Sequence, residues 1–220
     1  MLVRDIPISS LPSLQPLNTV SEALDTLQEY ACEQLPVVED GIFLGMIQLG
    51  LLSEHSSSDQ LLQSFLPLLP PPAIQPEHHF LQALSFASDH ALTVIPVRGV
   101  DGEFAGVITL ASLLKELTRF LGLHQGGGLL VLERDIRQFS FSEVSKIVES
   151  NDAFITQLNT AHHAQTGLIQ ITLRINKSEI SDIMAAFQRY DYQVCFFAGE
   201  EQYSNQLRTH YDHLMHYLKI

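Results

Sequence analysis

Two segments in the first half of the chain carry the same pattern of apolar positions. In both, apolar residues recur at helical spacing and are followed by a short apolar run, a turn signal and a second apolar run. The matched residues are Pro16, Val20, Ala23, Leu24, Leu35, Pro36 and Val37 against Pro76, Phe80, Ala83, Leu84, Ile95, Pro96 and Val97, and then Gly41, Phe43, Gly45, Ile47, Leu49 and Leu52 against Gly102, Phe104, Gly106, Ile108, Leu110 and Leu113. Two copies at so long a period predict a paired module, not a solenoid.

The spacing within each copy predicts the same elements. In the first copy, Thr19-Val-Ser-Glu22 matches a capping box, and the apolar positions that follow predict a helix over 20–32. Two strands are expected to follow it, with Glu39-Asp40-Gly41 as the turn between them. The corresponding elements of the second copy are a helix at 80–88, strands at 93–97 and 103–109, and a helix at 112–121. With one strand before each first helix, the unit is β-α-β-β-α.

The two copies resemble a pair of CBS motifs. The resemblance rests on Leu35-Pro-Val-Val-Glu-Asp-Gly41 with Gly45-Met-Ile47, and on Ile95-Pro-Val97 with Asp101-Gly102 and Gly106-Val-Ile-Thr109. We assign residues 1–62 to motif 1 and residues 63–123 to motif 2. The resemblance implies that the motifs pack pseudo-symmetrically and that clefts between them bind an adenosine-type small molecule, such as an adenine nucleotide or S-adenosylmethionine.

The ligand-binding positions that the resemblance implies have changed in this chain. In nucleotide-binding CBS motifs, the strand that follows the glycine typically carries a Thr, and an Asp three residues later commonly holds the ribose hydroxyls. Here those positions are Gln48 and Leu51 in motif 1, and Thr109 and Ser112 in motif 2. The candidate ligand-binding residues are therefore Ile95, Thr109 and Ser112. A strand role for Thr109 and a helix N-cap role for Ser112 are favoured over ligand contacts.

The rest of the chain predicts a second domain. Gly126-Gly-Gly128 separates an apolar helix from a new strand at 129–133, and Ser140-Phe-Ser-Glu143 is a second capping-box match. Further apolar patterns predict strands at 153–159, 169–175 and 193–198, and a second helix with its apolar stripe at Ile180, Ile183, Met184 and Phe187. The order β-α-β-β-α-β predicts a ferredoxin-like domain, so that the whole chain is of the α+β class.

Residues 128–199 resemble an ACT domain. The segments Leu129–Glu133 and Val144–Asp152 are most similar to the form fused to CBS pairs in acetoin-utilisation-type bacterial regulators. Amino-acid-binding ACT domains usually have a Gly between the first strand and helix, whereas this chain has Arg134-Asp-Ile-Arg-Gln-Phe139. A dimerising sheet is therefore favoured over an amino-acid site.

Charge and composition narrow the expected partners. The net charge of −13, from 12 basic and 25 acidic residues, disfavours nucleic acid and anionic membranes. No stretch has the length and apolarity of a spanning helix or a signal peptide, so a cytoplasmic protein is expected. Cys32 and Cys195, each within an apolar stretch, are interpreted as buried reduced thiols.

The C-terminal segment 200–220 predicts a docking helix. Tyr203, Leu207, Tyr211, Leu214 and Leu218 form a narrow apolar seam. His210, His213 and His216 lie three residues apart and would fan around a helix instead of converging, so no metal site is predicted.

Two functional hypotheses remain. The sequence carries no nucleophile elbow, Walker loop, metalloprotease pattern or dinucleotide fingerprint, so no enzyme is predicted. The first hypothesis is a ligand-sensing regulator that acts through a homodimer and transmits the effect to an unidentified protein target. The second is a structural dimerisation module with degenerate ligand sites.

Overall fold

The computed structural model describes residues 1–54, 57–66, 73–163 and 165–199. The predicted docking helix and its three histidines lie outside these residues. The chain divides into two compact units, Met1–Leu117 and Thr118–Ile220, and each is described by itself. None of the described helices has the length and apolarity needed to cross a bilayer.

The first repeat contains a helix, two strands and a second helix. Helix α1 (Val20–Glu29) is followed by β1 (Gln34–Glu39), β2 (Ile42–Gln48) and α2 (Leu49–Glu54). The predicted capping box is confirmed, because the Thr19 hydroxyl accepts from the Glu22 N–H and the Glu22 carboxylate accepts from the Thr19 N–H. The helix ends earlier than predicted, and Ala31 takes a left-handed conformation with φ 48°.

The second repeat has the same order. Helix α3 (Phe80–Asp89) is followed by β3 (Val94–Arg98), β4 (Phe104–Thr109) and α4 (Leu110–Phe120). Both strand pairs are antiparallel hairpins with a bulge at the equivalent place, after Val37 and after Val97. Within the described residues, the strand expected before each first helix is represented by one parallel bridge, Leu14 to Val37 in one repeat and Ile74 to Val97 in the other.

The first part of each segment that precedes a repeat packs into the other repeat. Val3 and Ile6 are buried in the core of the second repeat, where the Val3 N–H donates to the His78 carbonyl at 2.9 Å. Leu62 and Phe65 are buried in the core of the first repeat, where the Leu62 N–H donates to the Asn18 carbonyl at 2.9 Å. The boundary drawn at residue 62 from the sequence places Val3 and Ile6 in motif 1 and Phe65 in motif 2, although each of them packs in the other repeat. This exchange makes the pair one interlocked unit.

A smaller apolar cluster joins the two hairpins of this unit. It contains Phe43, Met46, Val94 and Val107, all buried. The Phe43 ring stacks on Phe104 with centroids 5.9 Å apart, and the Phe104 N–H donates to the Gly41 carbonyl at 2.8 Å. The hairpins therefore pack against each other, as a pseudo-symmetric pair requires.

The second unit has the predicted β-α-β-β-α-β order. Its elements are β5 (Gly128–Asp135), α5 (Phe141–Glu149), β6 (Ile155–His163), β7 (Leu168–Ile175), α6 (Ser181–Arg189) and β8 (Gln193–Ala198). The strands form one antiparallel sheet in the order β6-β7-β5-β8. A core of apolar side chains, including Leu130, Leu132, Val144, Ile171 and Phe187, packs the two helices on one face of the sheet.

Two local expectations from the sequence change, and one glycine has a structural role. Ser140 makes no side-chain cap of α5, and the Glu143 carboxylate that would complete a capping box is instead paired with Arg134 and Tyr192. Gly127 has φ 132°, and a Cβ there would collide with the Ile175 carbonyl oxygen, so the glycine permits a close backbone approach. Cys195 is exposed on β8 and Cys32 is only half-buried, so the expectation of two buried thiols is wrong.

Candidate functional site

A cavity of ≈ 550 Å³ lies between the two repeats of the first unit. We call it cleft 1. Its volume is within the range of small-molecule sites, and its wall is mainly apolar. The segment before the first repeat, the end of α1, β3 and the start of α4 all contribute to it, through Ser9, Leu11, Tyr30, Ala31, Cys32, Glu33, Thr93, Val94, Thr109, Leu110, Ala111 and Leu114.

Thr109 lies in the wall of cleft 1 and also caps α4. Its Oγ1 accepts from the Ser112 N–H at 3.2 Å and lies 2.9 Å from the Ser112 Oγ. The helix thus begins at Leu110, and Thr109 takes the capping role that the sequence favoured for Ser112. A ligand that reaches the Thr109 hydroxyl would meet a group already held in place by the first turn of α4.

The other two candidate residues do not border the cavity. The Ile95 side chain is 0% exposed and belongs to the core of the second repeat. Its neighbour Val94 takes the place in the cleft wall, because successive strand residues point to opposite faces. Ser112 contacts Thr109, but the residues that line the cavity on α4 are Leu110, Ala111 and Leu114.

Two backbone groups at the end of α1 give cleft 1 its polar character. Among the described residues, the Ala31 carbonyl and the Glu33 N–H have no hydrogen-bond partner within the protein. They form an acceptor and a donor two residues apart, beside the apolar side chain of Val94. Such a pair is complementary to a ligand edge that carries one donor next to one acceptor.

The charge of the cleft wall is negative. Glu33 contributes a carboxylate, and none of the described lining residues is a lysine or an arginine. Cys32 also lies in the wall, where burial raises the pKa of its thiol and keeps it protonated at neutral pH. Cys32 is therefore a polarizable wall residue here, with less thiolate than an ordinary cysteine.

The pseudo-equivalent cleft, cleft 2, is smaller in the described part of the chain. Glu33, Gln34, Gln48, Leu49 and Gly50 border a cavity of ≈ 340 Å³. The equivalence follows from strand register, since Gln34 pairs with Gln48 as Val94 pairs with Thr109. In this repeat, the sequence indicates Gln48 and Leu51 as the changed positions. The structure shows a further difference at position 34, where cleft 2 has the polar Gln34 and cleft 1 has the apolar Val94.

The turn after β5 in the second unit is closed by its own side chains. Asp135 accepts from the Arg137 N–H at 2.9 Å and from its guanidinium at 2.9 and 3.1 Å, and these bonds lower the pKa of Asp135 to about 2. Arg134 pairs with Glu143 and lies over the Tyr192 ring, 4.4 Å from its centroid. Side chains therefore occupy the region between β5 and α5.

Comparison with known proteins identifies a CBS domain in the chain. The family model for the CBS domain matches residues 3–50. No curated protein matches the sequence. Within the described residues, no group of three or more His, Cys, Asp or Glu side chains is placed to hold a metal ion.

Several solved structures of CBS proteins resemble this chain. The crystal structure of a CBS domain pair/ACT domain protein from Thermotoga maritima is 22% identical, covers 55% of this chain and 99% of its own, and has a TM-score of 0.51. A CBS domain-containing protein from Bacillus anthracis is 23% identical, covers 54% and 94%, and has a TM-score of 0.44. CBSX2 in complex with AMP is 18% identical, covers 55% and 98%, and has a TM-score of 0.45. The Thermotoga maritima likeness shows the fold of a CBS-domain pair.

Proposed function

We propose that this chain is a non-catalytic, ligand-sensing regulatory protein that binds an adenosine-type small molecule in cleft 1. The observation that carries the proposal is the free acceptor and donor at Ala31 and Glu33, placed on an apolar wall. An adenine ring presents an amino donor at N6 next to an acceptor at N1. The N6 amino group would donate to the Ala31 carbonyl, and N1 would accept from the Glu33 N–H.

The other residues of the cleft wall can contact the flat faces of the adenine ring and the sugar. Leu11, Val94 and Leu114 offer apolar surface to a flat ring, whose burial supplies most of the binding free energy. Thr109 places a hydroxyl group at the start of α4, where a sugar hydroxyl or a phosphate oxygen can reach it. The two backbone hydrogen bonds would add selectivity, because a ring without the matching edge leaves both groups unpaired.

The second unit is proposed to be an ACT-like domain of the ferredoxin-like type that mediates homodimer formation. Its β-α-β-β-α-β order and antiparallel sheet support this assignment. Strand β8 is an edge strand, and Phe196 on it is 48% exposed, which is the kind of surface that a second copy can cover. The fusion corresponds to acetoin-utilisation-type regulators, in which ligand binding would alter the paired subunits and thereby an unidentified protein target.

The alternative is a structural dimerisation module that binds no ligand. Ser112 in place of the expected Asp favours it, because this side chain does not border the cavity and carries no charge. The closed turn at Asp135 and Arg137 favours it as well. Ligand binding to the full chain separates the two functions.

The test is calorimetric titration of the full chain with adenosine, AMP and S-adenosylmethionine. We expect one site per chain for at least one of them. Ala111→Phe places a ring in the mouth of cleft 1 and should weaken binding by more than about tenfold, whereas Ala105→Phe, at an exposed position of β4 outside the cavity, should leave it unchanged. Absence of binding to all three compounds in the unchanged chain would favour the structural module.

The homodimer is tested by light scattering after size-exclusion chromatography. The full chain at micromolar concentration is expected to elute with twice the monomer mass. A monomer mass with and without the compound that binds in the titration would contradict the dimer, and would leave ligand binding to be judged by the titration.

A further inference from the structure

Gln34 is a polar side chain buried at the centre of the paired repeats. It is the first residue of β1 and is 6% exposed. A buried carboxamide is costly unless both its oxygen and its amino group have partners. The partners of Gln34 lie in the other repeat, more than fifty positions along the chain.

The Gln34 carboxamide binds the backbone at the end of α3. Its Nε2 donates to the Ala91 carbonyl at 3.1 Å, and its Oε1 accepts from the Thr93 N–H at 2.9 Å. The Thr93 hydroxyl donates to the same oxygen at 3.5 Å. One side chain thus satisfies a backbone acceptor and a backbone donor that lie two residues apart.

Those two backbone groups are the counterparts of the free pair in cleft 1. Ala91 corresponds to Ala31, and both residues take the left-handed conformation, with φ 51° and 48°. Thr93 corresponds to Glu33, and the carbonyls of both accept from equivalent N–H groups, those of Leu110 and Leu49, at 2.9 Å. The residue that corresponds to Gln34 is Val94, which has no polar atom in its side chain and leaves the Ala31 carbonyl and the Glu33 N–H unpaired.

We propose that Gln34 is a built-in occupant of cleft 2, which holds the place of the ligand edge and restricts the chain to one open site. A carboxamide and the edge of an adenine ring both present one N–H donor beside one acceptor. Gln34 therefore uses the contacts that a ring would use in cleft 1. For the class of ligand, this inference rests on the function proposed above.

The proposal makes position 34 the residue that decides which cleft is open. A valine at position 34 would remove the occupant and reproduce the wall that Val94 gives to cleft 1. A glutamine at position 94 would bring a carboxamide to Ala31 and Glu33 and close cleft 1. The two exchanges are reciprocal, so each serves as a control for the other.

The first test counts ligand sites by calorimetric titration of the full-length Gln34→Val variant with adenosine, AMP and S-adenosylmethionine. We expect the number of sites per chain to rise from one to two. The matched control is Gln48→Val, an exposed position that borders the same cleft, and it should remain at one. A single site in Gln34→Val, with the unchanged chain also binding one ligand, would overturn the inference and leave the proposed function intact.

The second test does not depend on a ligand. Amide hydrogen exchange measures whether Gln34 protects the Thr93 N–H, and Gln34→Val should accelerate exchange at Thr93 by about tenfold, the loss expected for one hydrogen bond. Val94→Gln should slow exchange at Glu33 by a similar factor, and its melting temperature reports whether it folds. Unchanged Thr93 exchange in Gln34→Val would overturn the inference even if no adenosine compound binds any form of the chain.

Discussion

The two repeats of the first unit share one backbone plan, but the clefts beside them differ. Equivalent bulges follow Val37 and Val97, and equivalent bridges join Leu14 and Ile74 to the hairpins. Cleft 1 nevertheless presents two free backbone groups, whereas in cleft 2 the equivalent groups are bonded to Gln34. Duplication thus preserved the cores, and single side chains at the cleft walls determine which site is open.

The largest expected effect is a loss of stability when buried residues of the exchanged segments are replaced. Phe65→Ala removes a ring that is 1% exposed and should lower the free energy of unfolding by about 3–5 kcal/mol, and Ile6→Ala by about 2–5 kcal/mol. Hydrogen exchange assigns each effect to a core. Phe65→Ala should accelerate exchange mainly in β1 and β2, and Ile6→Ala mainly in β3 and β4, whereas a boundary at residue 62 gives the reverse.

The matched control for this pair is Leu17→Ala. Leu17 is 67% exposed, so its loss should change the free energy of unfolding by no more than about 0.5 kcal/mol. Urea denaturation measures all three variants. A large effect at Leu17 together with a small one at Phe65 would contradict the buried packing of the exchanged segments.

Cys32 allows cleft 1 to be probed apart from cleft 2, because it borders the first cavity and not the second. Alkylation of Cys32 by iodoacetamide should slow about tenfold at a ligand concentration about ten times the Kd. Mass spectrometry of the Cys195 peptide supplies the internal control, because that thiol is exposed in the second unit. Equal protection of both cysteines, or of neither at saturation, would place the ligand elsewhere.

The same reaction has a defined pH dependence. Burial raises the pKa of the Cys32 thiol, so less thiolate is present at a given pH than for an ordinary cysteine. Alkylation of Cys32 should therefore be slow at neutral pH, and its rate should still increase at pH values above the pKa of an ordinary cysteine thiol. A rate that has already levelled off at neutral pH would contradict a raised thiol pKa.

Thr109 tests the difference between the helices that follow the two hairpins. Thr109→Val removes the hydroxyl that accepts from the Ser112 N–H and should cost about 1 kcal/mol of stability, whereas Thr109→Ser should retain most of it. Gln48→Ala changes the equivalent exposed position and should have little effect. Thermal denaturation measures these variants, and equal losses at both positions would show that the cap is not special to the second repeat.

Glu33 gives the smallest expected effect. Glu33→Gln removes the negative charge from the cleft wall and should tighten AMP binding by about twofold and weaken S-adenosylmethionine binding by a similar factor, since the group is exposed and screened. Adenosine, which is uncharged, is the control ligand. Calorimetry at low salt measures all three, and equal changes for the three ligands would exclude an effect of charge.

Local patterns predicted most of the elements, because periodicity and capping act over a few residues. The Thr19 capping box and the β-α-β-β-α-β order were readable in this way. The packing of Val3 in the second repeat and of Phe65 in the first could not be predicted in this way. Both are apolar residues, and local spacing does not show which core an apolar residue joins. Ser140 matched a capping box as well as Thr19 did, but its side chain makes no cap, and the Glu143 carboxylate pairs with Arg134, a contact that the local sequence does not reveal.

The candidate site could be located only in part from the sequence. Thr109 was found because its motif is local, whereas Ile95 turned out to point into the core and Val94 into the cavity. The donor and acceptor at Ala31 and Glu33 are backbone groups, which no residue pattern reveals. The sequence repeat alone aligns Gln34 with Val94. Only the structure shows that the Gln34 side chain is hydrogen-bonded to the backbone of the other repeat.

Backbone amide mapping by NMR tests the central claim most directly. The full chain labelled with ¹⁵N is titrated with the adenosine compound that binds in calorimetry. The account predicts that the largest shift changes fall at Glu33 and at the start of α4, Leu110 to Leu114, and that Gln48 to Gly50, which border cleft 2, change little. Changes centred on Gln48 to Gly50, with Leu110 to Leu114 unaffected, would contradict it.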